Sequence, residues 1–302
     1  QALQGQVSGV TILDQGAGPG KADMVLRVRG ITTLGNNEAL VIVDGIEQRL
    51  ADINPQDIES ISVLKDASST AIYGSRAANG VVLITTKRAQ QGKVAVNYQG
   101  YYGIQRSNNN PAHMGLEDYM RLQNIAYTNS FGAPIYTEDY IQEYLHATDR
   151  LKYPLPNTWF DAVFHKAPQV NNAVSVSGGN ETIKTRLSLR HLFQDGIIPN
   201  SNSKLTELRM NTDYKLSQKI RVSADINYRL LNNLSPVEEY MVFNTMEQTS
   251  EWTVPKYPDG TYGISSDGHS PLFYAEAAGT IHSKNDLLAG SIKADWEILK
   301  GL

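Results

Sequence analysis

The stretch IRVSADINYRL, residues 220 to 230, alternates strictly between apolar and polar side chains. One face of an extended chain would carry Ile220, Val222, Ala224, Ile226, Tyr228 and Leu230. The opposite face would carry Arg221, Ser223, Asp225, Asn227 and Arg229. A period of two predicts a β-strand. Strands of globular proteins average about 5 or 6 residues, whereas a strand that crosses a membrane needs about 9 to 11. The length of this stretch therefore favours a membrane strand.

Other stretches after residue 91 alternate in the same way, namely residues 94 to 104, 183 to 193, 206 to 214 and 288 to 298, with a shorter run around Val174. In the second of them Leu187 and Leu189 share one face, and Ser188 lies on the other, where it is expected to point into water. Each long stretch fits one strand of the same sheet, so the sequence predicts six consecutive strands.

The connections between these stretches alternate in length. Residues 105 to 169 and 231 to 285 are long, "GGNET" and "KLSQK" are tight turns, and "QDGIIPNSNS" is intermediate. Outer-membrane barrels have short turns at one end and longer loops at the other. The pattern predicts part of an antiparallel transmembrane β-barrel. Six strands cannot close a barrel, since bacterial barrels start at about eight and an open edge is not tolerated in lipid, so the sequence is expected to be part of a longer chain.

The first ninety residues follow a different pattern and predict a small α/β domain. Short strands rich in Val and Ile are separated by turns such as Asp44-Gly45 and Asn79-Gly80. A helix is predicted over residues 67 to 73, capped by Asp66 and ended by Gly74. The predicted domains are residues 1 to 90 and 91 to 302.

Composition excludes several classes of function. The formal net charge of −4 disfavours nucleic acid as a partner, and the absence of cysteine excludes disulfides, thiolate metal sites and a cysteine nucleophile. The stretch "DQGAGPGKADM" departs from a phosphate loop, because Gln15 replaces the first glycine and Ala22 follows Lys21. No activated nucleophile or metal spacing is found, so neither an enzyme nor a cofactor is predicted.

Three sets of residues keep two interpretations open. Asp259 and Asp267 fit either calcium binding or two β-turns. The aromatic residues of the first long connection either stack on sugar rings or pack a core of their own; they are Tyr119, Tyr127, Tyr136, Tyr140, Tyr144, Trp159 and Phe160. The charged residues of the polar strand faces either line a wet lumen with cross-strand ion pairs or touch cargo; they are Lys184, Arg186, Arg190, Arg221, Asp225 and Arg229.

Three segments, "LRVRGITTLGNNEALVIVDGIEQ", "INPQDIESISVLKDASSTAIYGSRAANGVVLITTK" and "VSVSGG", closely resemble the plug and early barrel of SusC/RagA-type TonB-dependent outer-membrane transporters. The resemblance covers the plug and the strands to about residue 232. It implies a barrel of about 22 strands with a plug domain at residues 1 to 90. The plug signature would comprise Arg29, Gly30, Asp44, Gly45, Glu59, Lys65, Asp66, Tyr73, Gly74, Arg76 and Gly80.

The resemblance also implies partners and a location. Such transporters lie in the bacterial outer membrane, pair with a SusD/RagB-like surface lipoprotein, and import oligosaccharides or peptides under the drive of the TonB complex, whose contact segment is absent from this sequence. Arg29 and Arg76 would face acidic residues on strands that are also absent. A siderophore-type receptor without a lid, an enzyme and a soluble β-rich binding module stay as alternatives.

The charge balance of residues 1 to 88 predicts the nature of the contact between plug and barrel. Residues 1 to 88 carry eight Lys and Arg against nine Asp and Glu. The contact between plug and barrel is therefore expected to be wet and built from exposed or half-exposed pairs, each worth about 0 to 1 kcal/mol.

Overall fold

A computed structural model describes residues 11–14, 18–21, 24–28, 38–50, 53–66, 70–108, 114–155, 159–248, 253–265 and 267–298. The described residues form an α/β unit and a six-stranded antiparallel sheet, which we call the wall. None of the described helices is long and apolar enough to cross a membrane.

The α/β unit contains a two-stranded and a four-stranded sheet. Its strands are β1 (Thr11–Asp14), β2 (Met24–Arg27), β3 (Leu40–Val43), β4 (Ile46–Glu47), β5 (Ile58–Leu64) and β6 (Val81–Thr86). The larger sheet has the order β4-β3-β6-β5, with β3 parallel to β6. Val43, Val82 and Ile84 are buried in its core because both faces of the central strands are covered.

The helix predicted over residues 67 to 73 is described only in part, since residues 67 to 69 lie outside the described residues. A 3-10 helix runs from Ala71 to Ala77 and is interrupted at Gly74, where φ is 66° and ψ is −155°. Gly74 has the predicted positive φ, and the first helical segment ends there as predicted. A second short helical segment, which the sequence did not predict, follows the bend and ends at Ala77.

The wall confirms the six predicted strands. They are β7 (Gly92–Gln105), β8 (Ala167–Gly179), β9 (Ile183–Asp195), β10 (Asn202–Lys215), β11 (Ile220–Pro236) and β12 (Thr280–Trp296). Each strand pairs with the next one along the chain, so the order is β7 to β12 without a crossover. The long connections gather at one end of the wall, the loop end, and the short ones at the other, the turn end.

The two faces of the wall have different surroundings. We call the face toward the α/β unit the inner face. On β9, Leu187 and Leu189 point outward and are 42% and 44% exposed, while Ser188 between them is 7% exposed. The expectation that Ser188 points into water is wrong, because the α/β unit covers it.

In the described parts of the connections, the loop end carries five helices, α1 (Leu116–Phe131), α2 (Glu138–His146), α3 (Trp159–Val163), α4 (Glu239–Gln248) and α5 (Pro271–Glu276). Parts of three connections meet in one apolar cluster, the loop core, formed by Trp159, Phe160, Val163, Ile198, Val242, Met246, Leu272 and Ala275. A second cluster joins α1 to α2 through Met120, Ile141, Tyr144 and Tyr153. Many aromatic residues of the first connection thus pack against other parts of the loops, as one of the two interpretations predicts.

Candidate functional site

The α/β unit meets the inner face of β9, β10 and β11 through charged side chains, and Asp57 is central to this contact. Asn54 caps the short 3-10 helix Pro55–Asp57 by accepting from the Gln56 amide, which fixes Asp57 at its end. The Asp57 Oδ1 lies 2.8 Å from Arg186 Nη1, a charge contact without hydrogen-bond geometry. The Ser188 hydroxyl donates to Asp57 Oδ2 over 3.2 Å.

Asp44 makes a second contact from the turn between β3 and β4. Its φ is 49°, a conformation that Asp tolerates better than most residues. The carboxylate accepts from the Thr86 amide at 3.0 Å and from the Thr86 hydroxyl at 2.6 Å, so it is held against β6. Arg209 Nη1 then reaches Asp44 Oδ2 over 3.4 Å.

Arg88 makes the third contact, near the turn end, in the connection from β6 to β7. Its guanidinium lies 2.9 Å from Asp213 Oδ1 and 2.6 Å from Asp225 Oδ2. Burial acts to lower the pKa of Arg88, but the carboxylates of Asp225 and Asp213 more than offset it, so the pKa is raised. The charged form of Arg88 is therefore favoured in this contact.

Neighbouring polar groups complete this network. Asn211 Nδ2 donates to Asp225 Oδ1 at 2.8 Å and approaches the Thr86 hydroxyl at 3.4 Å. The Ser223 hydroxyl donates to Asp213 over 2.7 Å. Within the wall, Arg190 of β9 forms a cross-strand ion pair with Glu207 of β10 at 2.8 Å on the inner face.

The ion pairs of this contact are more buried than their charge balance had suggested. The side chains of Arg186 and Asp57 are 9% and 7% exposed, and those of Arg209 and Asp44 are 7% and 6% exposed. Leaving one partner of a buried pair alone costs about 3 to 5 kcal/mol, far more than breaking an exposed pair. The expectation of a wet contact with exposed pairs is wrong for Arg186 and Arg209, because the α/β unit excludes water from them.

The predicted charged residues of the wall fall in different surroundings. Arg186, Asp225 and Arg229 are buried on the inner face, whereas Lys184 and Arg190 are half-buried and Arg221 is exposed at the turn end. Arg229 lies directly opposite Glu207 in the pairing of β10 with β11.

The predicted signature residues of the α/β unit are also scattered. Arg29 and Gly30 lie outside the described residues. Arg76 is exposed and pairs at 2.6 Å with Glu47 of the same unit, so its partner among the described residues is not on the wall. Tyr73 packs against a small apolar cluster of the α/β unit, formed by Leu40, Ile42, Ala77 and Val81. Gly80 has a φ of 96° and lies against Val28. The exposed members are Gly45, Glu59, Lys65, Asp66 and Gly74.

Sequence reasoning did not single out three residues of the contact, Asp57, Arg88 and Arg209. Their partners are remote in the chain: Asp57 and Ser188, for example, are 131 positions apart. One signal was available: Arg209 lies on the same polar face of β10 as Asp213, and a buried charge of the wall needs a countercharge.

The inner face of β7 and β8 differs from that of β9 to β11. Its residues from 95 to 105 and from 167 to 177 carry no charge; they are Ala95, Asn97, Gln99, Tyr101, Gly103, Gln105, Ala167, Gln169, Asn171, Ala173, Ser175 and Ser177. A cavity of about 820 Å³ separates this surface from the α/β unit. We call this part of the inner face the uncharged surface.

The alternative of calcium at Asp259 and Asp267 gains no support from the geometry. Asp259 accepts from the Thr261 amide at 2.9 Å, and Asp267 accepts from the Ser265 hydroxyl, as in β-turns. Among the described residues no group of three His, Asp or Glu side chains could hold a metal ion.

Comparisons with known proteins agree with this architecture. Residues 1–81 match the family model "TonB-dependent Receptor Plug Domain". The chain is 37% identical over 252 residues to TonB-dependent receptor P26 of Formosa agariphila, covering 80% of this chain and 24% of that protein. It is 31% identical over 212 residues to TonB-dependent receptor SusC of Bacteroides thetaiotaomicron, covering 66% of this chain and 19% of SusC.

Solved structures extend the match to most of the described fold. The RagAB peptide importer in its closed-closed state superposes with a TM-score of 0.70 at 25% identity, covering 99% of this chain and 37% of the matched one. In its open-open state the TM-score is 0.65 at 30% identity, covering 77% and 28%.

An α/β unit seated on the inner face of consecutive long antiparallel strands defines a TonB-dependent receptor, a β-barrel of the bacterial outer membrane, and the α/β unit is its plug. Within this class the chain is of the SusC/RagA type. It spans less than a quarter of the length of SusC and about a quarter of that of P26.

Proposed function

We propose that the receptor to which this chain belongs imports nutrients, oligosaccharides or peptides, across the outer membrane, with a surface lipoprotein as partner and the TonB complex as the source of energy. The observation that carries this proposal is the contact of the plug with the inner face of the wall. Buried ion pairs hold the plug against β9 to β11, so a path along the inner face is closed there until the plug shifts.

The uncharged surface of β7 and β8 supports oligosaccharides or peptides as the class of cargo. Gln and Asn side chains offer both donors and acceptors, and Tyr101 adds a hydroxyl and a ring. Gln169 donates to the Tyr101 hydroxyl at 3.0 Å, and Gln194 donates to Gln105 at 3.2 Å, which aligns these groups across three strands. Such a surface suits sugar hydroxyls or a peptide backbone. The relative called RagAB is a peptide importer, which fits the second.

The structure of the loop end supports a surface lipoprotein as the partner. The two long connections form helices and a shared core, and α1 exposes apolar residues such as Ile125 and Phe131, which are 57% and 77% exposed. We propose that these loops help form the rim on which a SusD/RagB-like lipoprotein sits. Mild extraction of the full-length receptor and pull-down should recover that lipoprotein. Recovery of the receptor alone would favour a siderophore-type receptor without a lid.

Transport is tested by tying the plug to the wall. Thr86 on the plug and Asn211 on β10 approach within 3.4 Å, and cysteines at these positions can bond if their Cα atoms lie within about 7 Å. The described chain has no free cysteine to interfere. In the full-length receptor, oxidation of the pair Thr86→Cys and Asn211→Cys should stop uptake, and reduction should restore it.

A matched control uses a disulfide within the wall. Thr185 and Thr212 face each other on β9 and β10 with hydroxyls 3.1 Å apart, and neither belongs to the plug. Cysteines at these two positions should leave uptake unchanged when oxidised. Undiminished uptake with the plug fully tied to β10 would refute the proposed movement.

A further inference from the structure

The plug also touches the loop end, away from its contact with the inner face of β9 to β11. The proposed transport does not explain this second contact. Residues 18 to 21, in the connection between β1 and β2, form a turn in which the Lys21 amide donates to the Gly18 carbonyl at 3.4 Å. We call this turn the hairpin tip. Lys21 forms an ion pair with Glu239, which lies 218 positions later in the chain.

The backbone of the hairpin tip is pressed against the ends of two wall strands. A Cβ on Gly20 would lie 2.2 Å from Asn233 Oδ1 and 2.3 Å from Ser203 Oγ. Ser203 and Asn233 are paired residues at the loop end of β10 and β11. A side chain at position 20 would force the side chains of Asn233 and Ser203 to move, and it would also be strained at the φ of 66°, so glycine is favoured here.

On the other side of the ion pair, Glu239 is the first residue of α4. A carboxylate at this position is favoured by the dipole of the helix. Val242 and Met246 of the same helix are buried in the loop core, which also contains parts of α3, α5 and the connection from β9 to β10. Because the loop core is close-packed, a displacement of Glu239 would move α4 and the residues packed against it.

We infer that the hairpin tip is a coupling contact, through which the outer loops and the plug bias each other's position. The inference rests on the proposed function for its purpose. A change at the loops, caused by cargo or by the lipoprotein, would loosen or tighten the plug at its outer side before the TonB complex acts from the other. Equally, a plug drawn away from the wall would release α4.

The expected strength of the coupling follows from the solvent exposure of the ion pair between Lys21 and Glu239. The side chains of Lys21 and Glu239 are 42% and 17% exposed. Such a pair changes an opening equilibrium by a modest factor, on the order of two- to fivefold. Coupling between two sites is reciprocal, so the effect must be visible from both ends.

The experiment is a charge-reversal cycle in the full-length receptor, read by hydrogen exchange of backbone amides. Glu239→Lys should raise exchange in β1 and β2 about two- to fivefold, and Lys21→Glu should raise it in α4 by a similar factor. The double variant restores the ion pair with opposite sign and should return both segments toward the rates of the unchanged receptor. Amides of β12 serve as the internal reference.

Two outcomes overturn the inference. One is that each substitution alters exchange only in its own segment. The other is that the double variant stays as open as the single ones, which would mean that the pair does not carry the effect. Should Glu239→Lys fail to fold, Glu239→Gln gives the same test with a smaller expected rise.

A second variant tests the backbone contact independently. Gly20→Ala introduces a Cβ that collides with Asn233 and Ser203, and it should raise exchange in both β1–β2 and α4. The matched control is Gly18→Ala, since Gly18 lies in the same turn and has a positive φ of 115°, but a Cβ there would come no closer than 3.5 Å to another atom, Glu239 Oε1. Equal effects of the two substitutions in β1 and β2 would show strain alone and refute the contact.

This test is separate from the test of transport. Hydrogen exchange needs no cargo, no lipoprotein and no energy source. If tying the plug to β10 leaves uptake unchanged, the proposed transport movement fails while the coupling cycle still stands or falls on its own data.

Discussion

Arg186 of the wall places its Nη1 2.8 Å from the Asp57 Oδ1 of the plug, and both side chains are more than nine-tenths buried. Little of either side chain is exposed to water while the plug is seated. The two groups must separate and hydrate together for the plug to leave, which makes this pair a point of resistance to movement.

The first prediction concerns this pair. Asp57→Asn leaves the Arg186 charge buried without a countercharge and should weaken the seating of the plug by about 3 kcal/mol. Hydrogen exchange of the β6 amides in the full-length receptor measures the change. The control Glu59→Gln removes an exposed carboxylate two residues away and should change the seating little. An equal loss in both variants would contradict the role given to burial.

The second prediction concerns the two faces of β9. Leu187→Arg places a charge on the outer face and should destabilise the folded receptor in lipid by about 2 to 4 kcal/mol. Ser188→Arg should also destabilise it, by about 1 to 3 kcal/mol, because the added atoms collide with the plug.

The control for the second prediction lies on β7. Gln99 is exposed on the inner face beside the cavity, so Gln99→Arg should be nearly neutral. Urea unfolding of the full-length receptor in lipid vesicles compares all three variants. A cost for Gln99→Arg as large as that for Leu187→Arg would contradict the assignment of faces.

The third prediction concerns pH at the loop end. The guanidinium of Arg121 on α1 donates two hydrogen bonds of 3.0 Å to Glu138 on α2. These bonds lower the pKa of Glu138. Stability from a carboxylate with a lowered pKa is fully present above its unfolded value, about 4.3 for Glu, and is lost as the pH falls through the folded value.

Exchange of the α1 and α2 amides, corrected for intrinsic pH dependence, should therefore be constant from about pH 8 to pH 5 and rise below about pH 4. Arg121→Gln removes the hydrogen bonds and should flatten this rise. A rise of the same size in the variant would show that Glu138 does not cause it.

The sequence predicted the wall better than the contact with the plug. Alternation in stretches such as residues 220 to 230 reports which face is apolar, because side chains of a strand point alternately to opposite sides. The alternating lengths of the connections then fix the order of the strands. Both signals are local, and both agree with the structure.

The contact with the plug depends on residues far apart in the chain. No residue near Asp57 in the sequence indicates that Arg186 lies opposite it. The sequence pattern of a polar strand face is the same whether water or another domain covers that face. Ser188 illustrates the limit: its place on the polar face was predictable, but its burial was not. The end of the helical segment at Gly74 was predictable, but the short segment that follows it to Ala77 was not.

The order of the wall strands has a consequence for biogenesis. Every strand pairs with its sequence neighbours, so the sheet can grow by one hairpin at a time as the chain enters the membrane. The charged side chains that pair with the plug lie on β9, β10 and β11, three consecutive strands. These partners are thus in place once those strands have formed, and the plug can be captured before the barrel around it is complete.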